Sequence, residues 1–292
     1  VRIREAIQEE GNIYDLAQDS EMSLPKDSLL VKLILNTPSE TVTLKMHPVI
    51  YPKEDGIFSV EQNIIHEVEY QIPEGTNCSL QVHNLVTGDS IRSSIVYANA
   101  PGFQYPRDNG WFEPKYYFNN VQEPFHVKFH IFNDLVQMLV TEIKYVDVLL
   151  NGDTVCRKAI FESQAIYGGN GYDEYNRTFP LDYIFNILNR VIPEDPQVKF
   201  RWFYRFNFKS LAASAGLRDY MQLGDRFNDN RKLAFTNMTG GYGLFYACDN
   251  SETGDIEPTH SFPDTLSNSP ETLDLKFSRY IYQGIYIDPD HE

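Results

Sequence analysis

Cysteine is scarce and scattered in this 292-residue chain. Cys78, Cys156 and Cys248 are far apart, with no C-x-x-C pair and no zinc-like spacing, which excludes a clustered thiolate metal centre. Each lies in apolar or alternating sequence, where a free thiol behaves as a small buried hydrophobe, and the odd count leaves at least one outside any intrachain disulfide. Long apolar runs are missing too: no stretch approaches the roughly 20 residues of a membrane-spanning helix, and no signal peptide is visible. Positive charge is short. With 25 Lys and Arg against 41 Asp and Glu, the formal charge is -16, which argues against nucleic acid or an anionic lipid surface as partner, since both need clustered cations.

Motifs of nucleotide and acyl chemistry are lacking as well. The Gly168-Gly169-Asn170-Gly171 loop has no following Lys-Ser/Thr to cradle phosphate, and no G-x-S-x-G nucleophile elbow occurs. Carboxylate pairs for glycoside hydrolysis are spatial, and the sequence nominates none among its 41 acids.

What is present is aromatic and sheet-like. Nineteen Tyr and 19 Phe accompany few helical periodicities, so the fold class expected is mainly β with two short helices. The length points to two domains, each with its own core. Residues 1–28 mix apolar pieces with charge and fit a short helix or a strand and turn. From Leu29, the runs LLVKLIL, TVTLKM, GIFSV, NIIHEVEYQI, NCSLQVHNLV and SIRSSIVYA follow at short spacing between Pro and Gly breaks, the signature of a β-sandwich. Leu80 and Val82 alternate with polar neighbours, as a half-buried strand requires.

The proline-rich stretch 101–114 breaks this rhythm and sets the expected boundary, giving domains 1–105 and 106–292. In the second, FHVKFHIF alternates Phe125, Val127, Phe129 and Ile131 against His126, Lys128 and His130. Asn151-Gly152 predicts a hairpin turn. Leu181, Ile184, Phe185, Leu188 and Val191 fall at helical spacing, with Pro193 beyond as a stop. A second helix is expected over 211–223, the polar run 249–272 reads as loop, and 275–287 reads as a last strand.

Strand 198–208 places Phe200, Trp202, Tyr204, Phe206 and Phe208 opposite Arg201, Phe203, Arg205 and Asn207, so one face reads as wholly aromatic. Buried, that face is core. Exposed, it is a stacking platform for a carbohydrate or a groove for a peptide. Arg201 and Arg205 are expected to pair with acids. His126 and His130 on a strand lie about 13 Å apart, too far to share a metal. Asp249, Ser251, Thr253 and Asp255 with Gly254 imitate part of a calcium loop, but His260 stands where the bidentate Glu belongs, so a solvated acidic turn is the better reading.

The segment Leu233 to Cys248, LAFTNMTGGYGLFYAC, carries Gly240, Gly241 and Gly243 among aromatic and aliphatic side chains. Glycines in such a pattern mark a bulge or a close backbone approach, and a packed strand of the second domain is expected. The candidate ligand-binding residues are Trp202, Tyr204, Tyr242 and Tyr246. No catalytic residue, metal ligand or cofactor is nominated.

Two places carry a family resemblance. The stretch ending VHNLVTGDSIRSSIVYANAP, and FTNMTGGYGLFYA with Asn237, Gly240, Gly241, Gly243, Phe245 and Ala247, resemble a family of Bacteroidetes lipoproteins known as domain of unknown function 4249. RDYMQL (218–223) is similar to the Tyr-containing helix before that motif, whereas Tyr246 stands where glycine is common and 106–197 matches loosely. The resemblance implies an immunoglobulin-like N-terminal sandwich, a location at the outer membrane or in the periplasm, and an outer-membrane receptor, glycan or peptide as partner. It implies no catalytic residues. The start at Val1 then reads as a mature region that has lost a targeting segment and any lipid anchor, and a monomer is expected. Asp27-Ser28-Leu29, Asp89-Ser90-Ile91, Asp153-Thr154-Val155 and Asp264-Thr265-Leu266 are similar to O-glycosylation acceptors of that phylum. Two alternatives remain: a structural or adhesive surface subunit, and a polysaccharide hydrolase.

Overall fold

A computed structural model describes residues 25, 27–52, 62–106, 115–116, 125–132, 134–167, 173–179, 181–226, 236–258, 261–287 and 289. The segment 1–24, the run GIFSV and the glycine loop 168–172 lie outside them. The protein is mainly β, with several antiparallel sheets and three α-helices among the described residues.

The chain divides into two compact units: one runs to Tyr97 and takes in Ala215–Ala247, the other is Ala98–Ser214 with Cys248–Glu292. The division therefore falls earlier than the proline-rich stretch, and the first unit is built from two separated pieces of sequence.

In the first unit, β1 (Leu29–Asn36) lies between β2 (Thr41–Lys45) and β5 (Asn77–Asn84); β6 (Ser90–Ser93) and β15 (Met238–Thr239) complete a five-stranded antiparallel sheet in the order β15-β6-β5-β1-β2. Register opposes Val31 to Val82 and Leu35 to Cys78, and these four side chains are buried. Burying each of the two valines and the leucine is worth about 1.5–3 kcal/mol. The expected alternation holds in β5, where Cys78, Leu80 and Val82 point inward. A separate two-stranded sheet pairs β3 (His47–Pro52) with β4 (Gln62–Glu67). Pro48 and Pro52, breaks in the sequence pattern, lie within β3, since prolines are tolerated on an edge strand.

The second unit is organised by two long antiparallel strands, β10 (Val136–Leu149) and β14 (Val198–Ala213), flanked by β11 (Thr154–Glu162) and β16 (Cys248–Glu252), with β12 (Ile166–Tyr167) on β10 and β18 (Phe277–Ile281) parallel to β14. The β10–β11 turn falls at Asn151-Gly152 as expected, with Gly152 at φ 94° and the Asn151 amide oxygen accepting from Asp153 N–H at 3.0 Å. A three-stranded sheet joins β7 (Phe103–Tyr105), β9 (Phe125–Ile131) and β13 (Asp173–Phe179), and within it the Phe129 ring stacks on Tyr175 at 4.6 Å. Lys115–Tyr116 (β8) pairs with Glu257–Pro258 (β17).

Helix α1 (Leu181–Val191) forms where the spacing places it, and Ile184, Phe185 and Leu188 are buried in the large core cluster. The second predicted helix starts later than expected. Residues 211–213 continue β14 opposite Val136–Met138, and α2 is Ala215–Arg226. The polar run after Cys248 is not simple loop: it holds β16, β17 and α3 (Ser261–Asn268), whose Phe262 and Leu266 are buried. The final strand is short, ending at Ile281.

Strand β14 does not keep one aromatic face. Lys144 opposes Arg205 and Tyr145 opposes Phe203, so Tyr204 is the extra residue of a β-bulge, and side chains change faces across it. Before the bulge, Phe203 enters the core. Beyond it, Phe206 and Phe208 do, and Trp202 and Tyr204 are left on the other face, half-buried. The aromatic side chains of the strand are thus divided between the core and the opposite face. Arg201 also turns inward: its Nε donates to Asp147 Oδ1 at 2.8 Å, and its other nitrogens donate to the carbonyls of Leu275 and Pro193.

Next to that ion pair, burial foremost and then the Asp147 carboxylate push the Tyr145 phenol from 10.0 up to about 12. A raised pKa means that the neutral phenol is favoured in the fold, so its stabilising contribution is whole below pH 10 and is lost as pH rises from 10 toward 12. Tyr145→Phe is expected to flatten the fall in stability across that window, read as urea midpoints at a series of alkaline pH values.

Candidate functional site

Two places gather the candidate residues, one in each unit. In the first, the glycine-rich segment is the edge of a sheet and not a strand of the second unit. Met238 and Thr239 pair with Ser93 and Arg92 of β6, and Ser94 N–H reaches Asn237 O at 2.8 Å. Gly240 has φ 85°, and a Cβ there would run into the Ser90 carbonyl; a Cβ at Gly241 would lie 2.8 Å from Ile91 Cδ1. The glycines therefore permit a close backbone approach to β6, one of the two roles the pattern predicts for them.

The loop is closed by its own side chains. Asn237 accepts from Phe245 N–H at 2.9 Å and donates to Phe245 O at 2.6 Å. Thr236 Oγ1 donates to Gly243 O and accepts from the N–H groups of Gly243 and Met238 at 3.0–3.1 Å. Phe245 and Ala247 then pack on the cores beneath β1 and β5. This fixes both ends of the turn and leaves Tyr242 76% and Tyr246 46% exposed. The apolar character of the run half-buries Phe245 but does not draw in Tyr246.

In the second unit, the sheet face opposite the core carries Trp202 and Tyr204. Neither is open. Trp202 stacks on Tyr282 at 5.5 Å, and Tyr204 lies parallel to Tyr286 at 4.8 Å with 2° between the rings. Arg205 sits 4.6 Å from the Tyr204 ring and is ion-paired to Glu257 at 3.1 Å. Farther along, the Glu142 side chain is 4% exposed, with Lys209 Nζ at 3.5 Å and Lys144 Nζ at 3.8 Å; Lys209 continues to Glu252 and Lys144 to Asp255 at 2.7 Å. Cations and carboxylates alternate along this face and neutralise one another. The sequence pairs Arg201 and Arg205 with acids, and both pairs form. Glu142, Lys144 and Lys209 escape sequence reasoning, their only signal being a place on the polar register of two long strands.

The remaining expectations find plain positions. Asp249, Ser251 and Thr253 are spread along β16 and its end rather than around a cation: Asp249 accepts from Ala100 N–H at 2.8 Å, and Thr253 is buried with its hydroxyl at Phe208 N–H. Among the described residues, no group of three or more His, Cys, Asp or Glu side chains is placed to hold a metal. His130 is on β9, with Gln104 Nε2 2.6 Å from its Nε2; the side chain of His126, and His260, lie outside the described residues. All three cysteines are free thiols, and burial pushes the Cys78 thiol up. Of the four acceptor-like tripeptides, Ser90 and Thr154 are exposed, Thr265 is half-buried on α3, and Ser28 is 4% exposed with its hydroxyl donating to Pro25 O. No described helix is long and apolar enough to cross a membrane.

No protein-family model matches the chain, and no curated protein does. Among solved structures, it is similar to the C-terminal globular domain of an oligosaccharyltransferase from Pyrococcus abyssi, at 9% identity over 79% of this chain and 41% of that one. The TM-score is 0.21, too low for the likeness to bear on fold or function.

Proposed function

We propose that the protein is a non-catalytic binding or accessory lipoprotein of the cell envelope, which presents an aromatic loop to an outer-membrane receptor, a glycan or a peptide. The observation that carries it is the loop 236–246: two exposed tyrosines, Tyr242 and Tyr246, on a backbone held by the Asn237 and Thr236 side chains. Rigid aromatic side chains on a fixed loop give contact area with little ordering cost on binding. The compartment and the immunoglobulin-like character of the first unit rest on the resemblance to domain of unknown function 4249. The acidic composition suits an envelope protein that must stay soluble.

The test compares the chain with its Tyr242→Ser/Tyr246→Ser variant on glycan and peptide arrays and against the purified candidate receptor. Binding by the chain, weakened about tenfold or more in the variant, is expected, since two anchoring aromatic residues commonly carry that much. Equal binding by both, or none by the chain, overturns the proposal.

A further inference from the structure

Residues 282–287 follow β18 without regular secondary structure and lie over the outer face of the long sheet. Two rings anchor them there. Tyr282 stacks on Trp202, while Tyr286 lies flat on Tyr204, with Lys144 Nζ 5.6 Å from its centroid. The Tyr286 hydroxyl donates to the Arg157 carbonyl at 2.8 Å. From the main chain, Tyr282 N–H donates to Phe203 O at 2.8 Å, and Ile287 N–H points to Cys156 Sγ, a weak acceptor, at 3.4 Å. Between the rings, Gln283, Gly284 and Ile285 are exposed, Ile285 to 86%. A Cβ at Gly284 would collide with the Tyr282 ring, so glycine lets the segment place both rings on one surface.

Two ring anchors four positions apart, with outward-facing residues between them, are how short linear peptides dock on a preformed surface. A strand inside a sheet is held differently, by a continuous ladder such as the one that joins β10 to β11 from Val140 to Val148. We propose that 282–287 is a releasable strap, and that the face beneath it, centred on Trp202 and Tyr204, is a binding site for tyrosine-bearing peptide segments. The chain's own Tyr282-Gln283-Gly284-Ile285-Tyr286 occupies it in cis. The surrounding chemistry selects the ligand class. Lys144 and Arg205 beside the rings favour an aromatic face over a saturated ring, and the Arg157 carbonyl accepts a hydroxyl, which distinguishes tyrosine from phenylalanine. Because the strap is tethered, its effective concentration is high, and a free peptide binds only in proportion to the fraction of chains with the strap off. The site belongs to the second unit and does not depend on the role given to Tyr242 and Tyr246.

The experiment uses the full chain with Trp111→Phe, so that Trp202 is its sole tryptophan, and the same chain carrying Tyr282→Ala/Tyr286→Ala. The probe is an acetylated hexapeptide of sequence YQGIYI, titrated against Trp202 fluorescence. The alanine variant is expected to bind it at least about tenfold more tightly than the parent, as removal of a tethered competitor requires. Phenylalanine at the second tyrosine of the peptide is expected to weaken binding. Equal binding by parent and variant overturns the proposal, as does no binding to a variant that still unfolds cooperatively, or capture of a soluble oligosaccharide in place of the peptide. If the variant does not fold, hydrogen exchange on the parent decides: the Tyr282 and Ile287 amides are expected to exchange faster than the Phe206 amide of β14, which is bonded to Ile256 O at 2.9 Å, and equal protection overturns release.

Discussion

Arg201→Met is expected to lower the unfolding free energy by about 3–5 kcal/mol, the usual cost of leaving one member of a buried ion pair alone. The Arg201 and Asp147 side chains are 2% and 6% exposed and meet at 2.8 Å. Methionine keeps most of the volume and removes every donor. Asp147 would keep only Arg157, whose Nε is 3.4 Å away on a side chain that is 50% exposed, so the lower end of the range is expected. The carbonyls of Leu275 and Pro193 would also lose their donor. Adding Asp147→Leu should recover a large part of the loss, since a pair of apolar residues of similar volume is often no worse than a buried salt bridge. Urea unfolding followed by tryptophan fluorescence checks both variants. A loss under about 1 kcal/mol for the single variant would mean that Arg157 alone satisfies the carboxylate.

Phe206→Ala should cost a similar amount, about 3–5 kcal/mol, for a different reason. The ring is fully buried and lies within ring-pair distance of Phe203, Phe208 and Phe262, at 4.9, 5.9 and 5.3 Å. Its backbone N–H and carbonyl are both bonded to Ile256, so the strand cannot move inward to close the cavity. Phe206→Leu, which leaves a smaller void, should lose less than half as much. Equal losses for the two variants would show that ring stacking, not filled volume, is what the site requires. At Trp202, by contrast, alanine removes a half-buried ring from a face that already meets solvent, and a smaller loss is expected.

The contrast between Phe206 and Trp202 locates what the sequence could and could not reveal. Alternation of apolar and polar residues makes the strands visible, and the helical spacing from Ile184 to Leu188 makes α1 visible, because both depend on neighbours within one element. The Asn151-Gly152 turn is legible for the same reason. A bulge is not. One extra residue at Tyr204 reverses which side chains face inward, and it is set by pairing with β10, at Lys144 and Tyr145 far earlier in the chain. Helix α3 hides in a polar run, although Phe262 and Leu266, four apart, are its signal; both are buried in the same core as the β14 aromatics. Tyr242 and Tyr246 sit on a glycine-rich segment that reads correctly as closely packed, but the strand it packs on is β6, far away in sequence, and so the segment belongs to the first unit.

That last pairing also bears on the order in which the protein is made. Residues that seal the first unit, Asn237, Phe245 and Ala247, leave the ribosome about 150 residues after β6, a delay of roughly 8–30 s at ordinary synthesis rates. Through that interval the β6 edge of the sheet stands uncapped while most of the second unit emerges. A fragment ending at Tyr97 is halted in the same state for good, with Leu35, Cys78 and Val96 covered by Leu33, Val42 and Leu44 but lacking Phe245 and Ala247. Expression of the first unit alone therefore calls for 215–247 to be joined back to residue 97 by a short linker, and the solubility of that fusion relative to the bare fragment measures how much the late-arriving segment contributes.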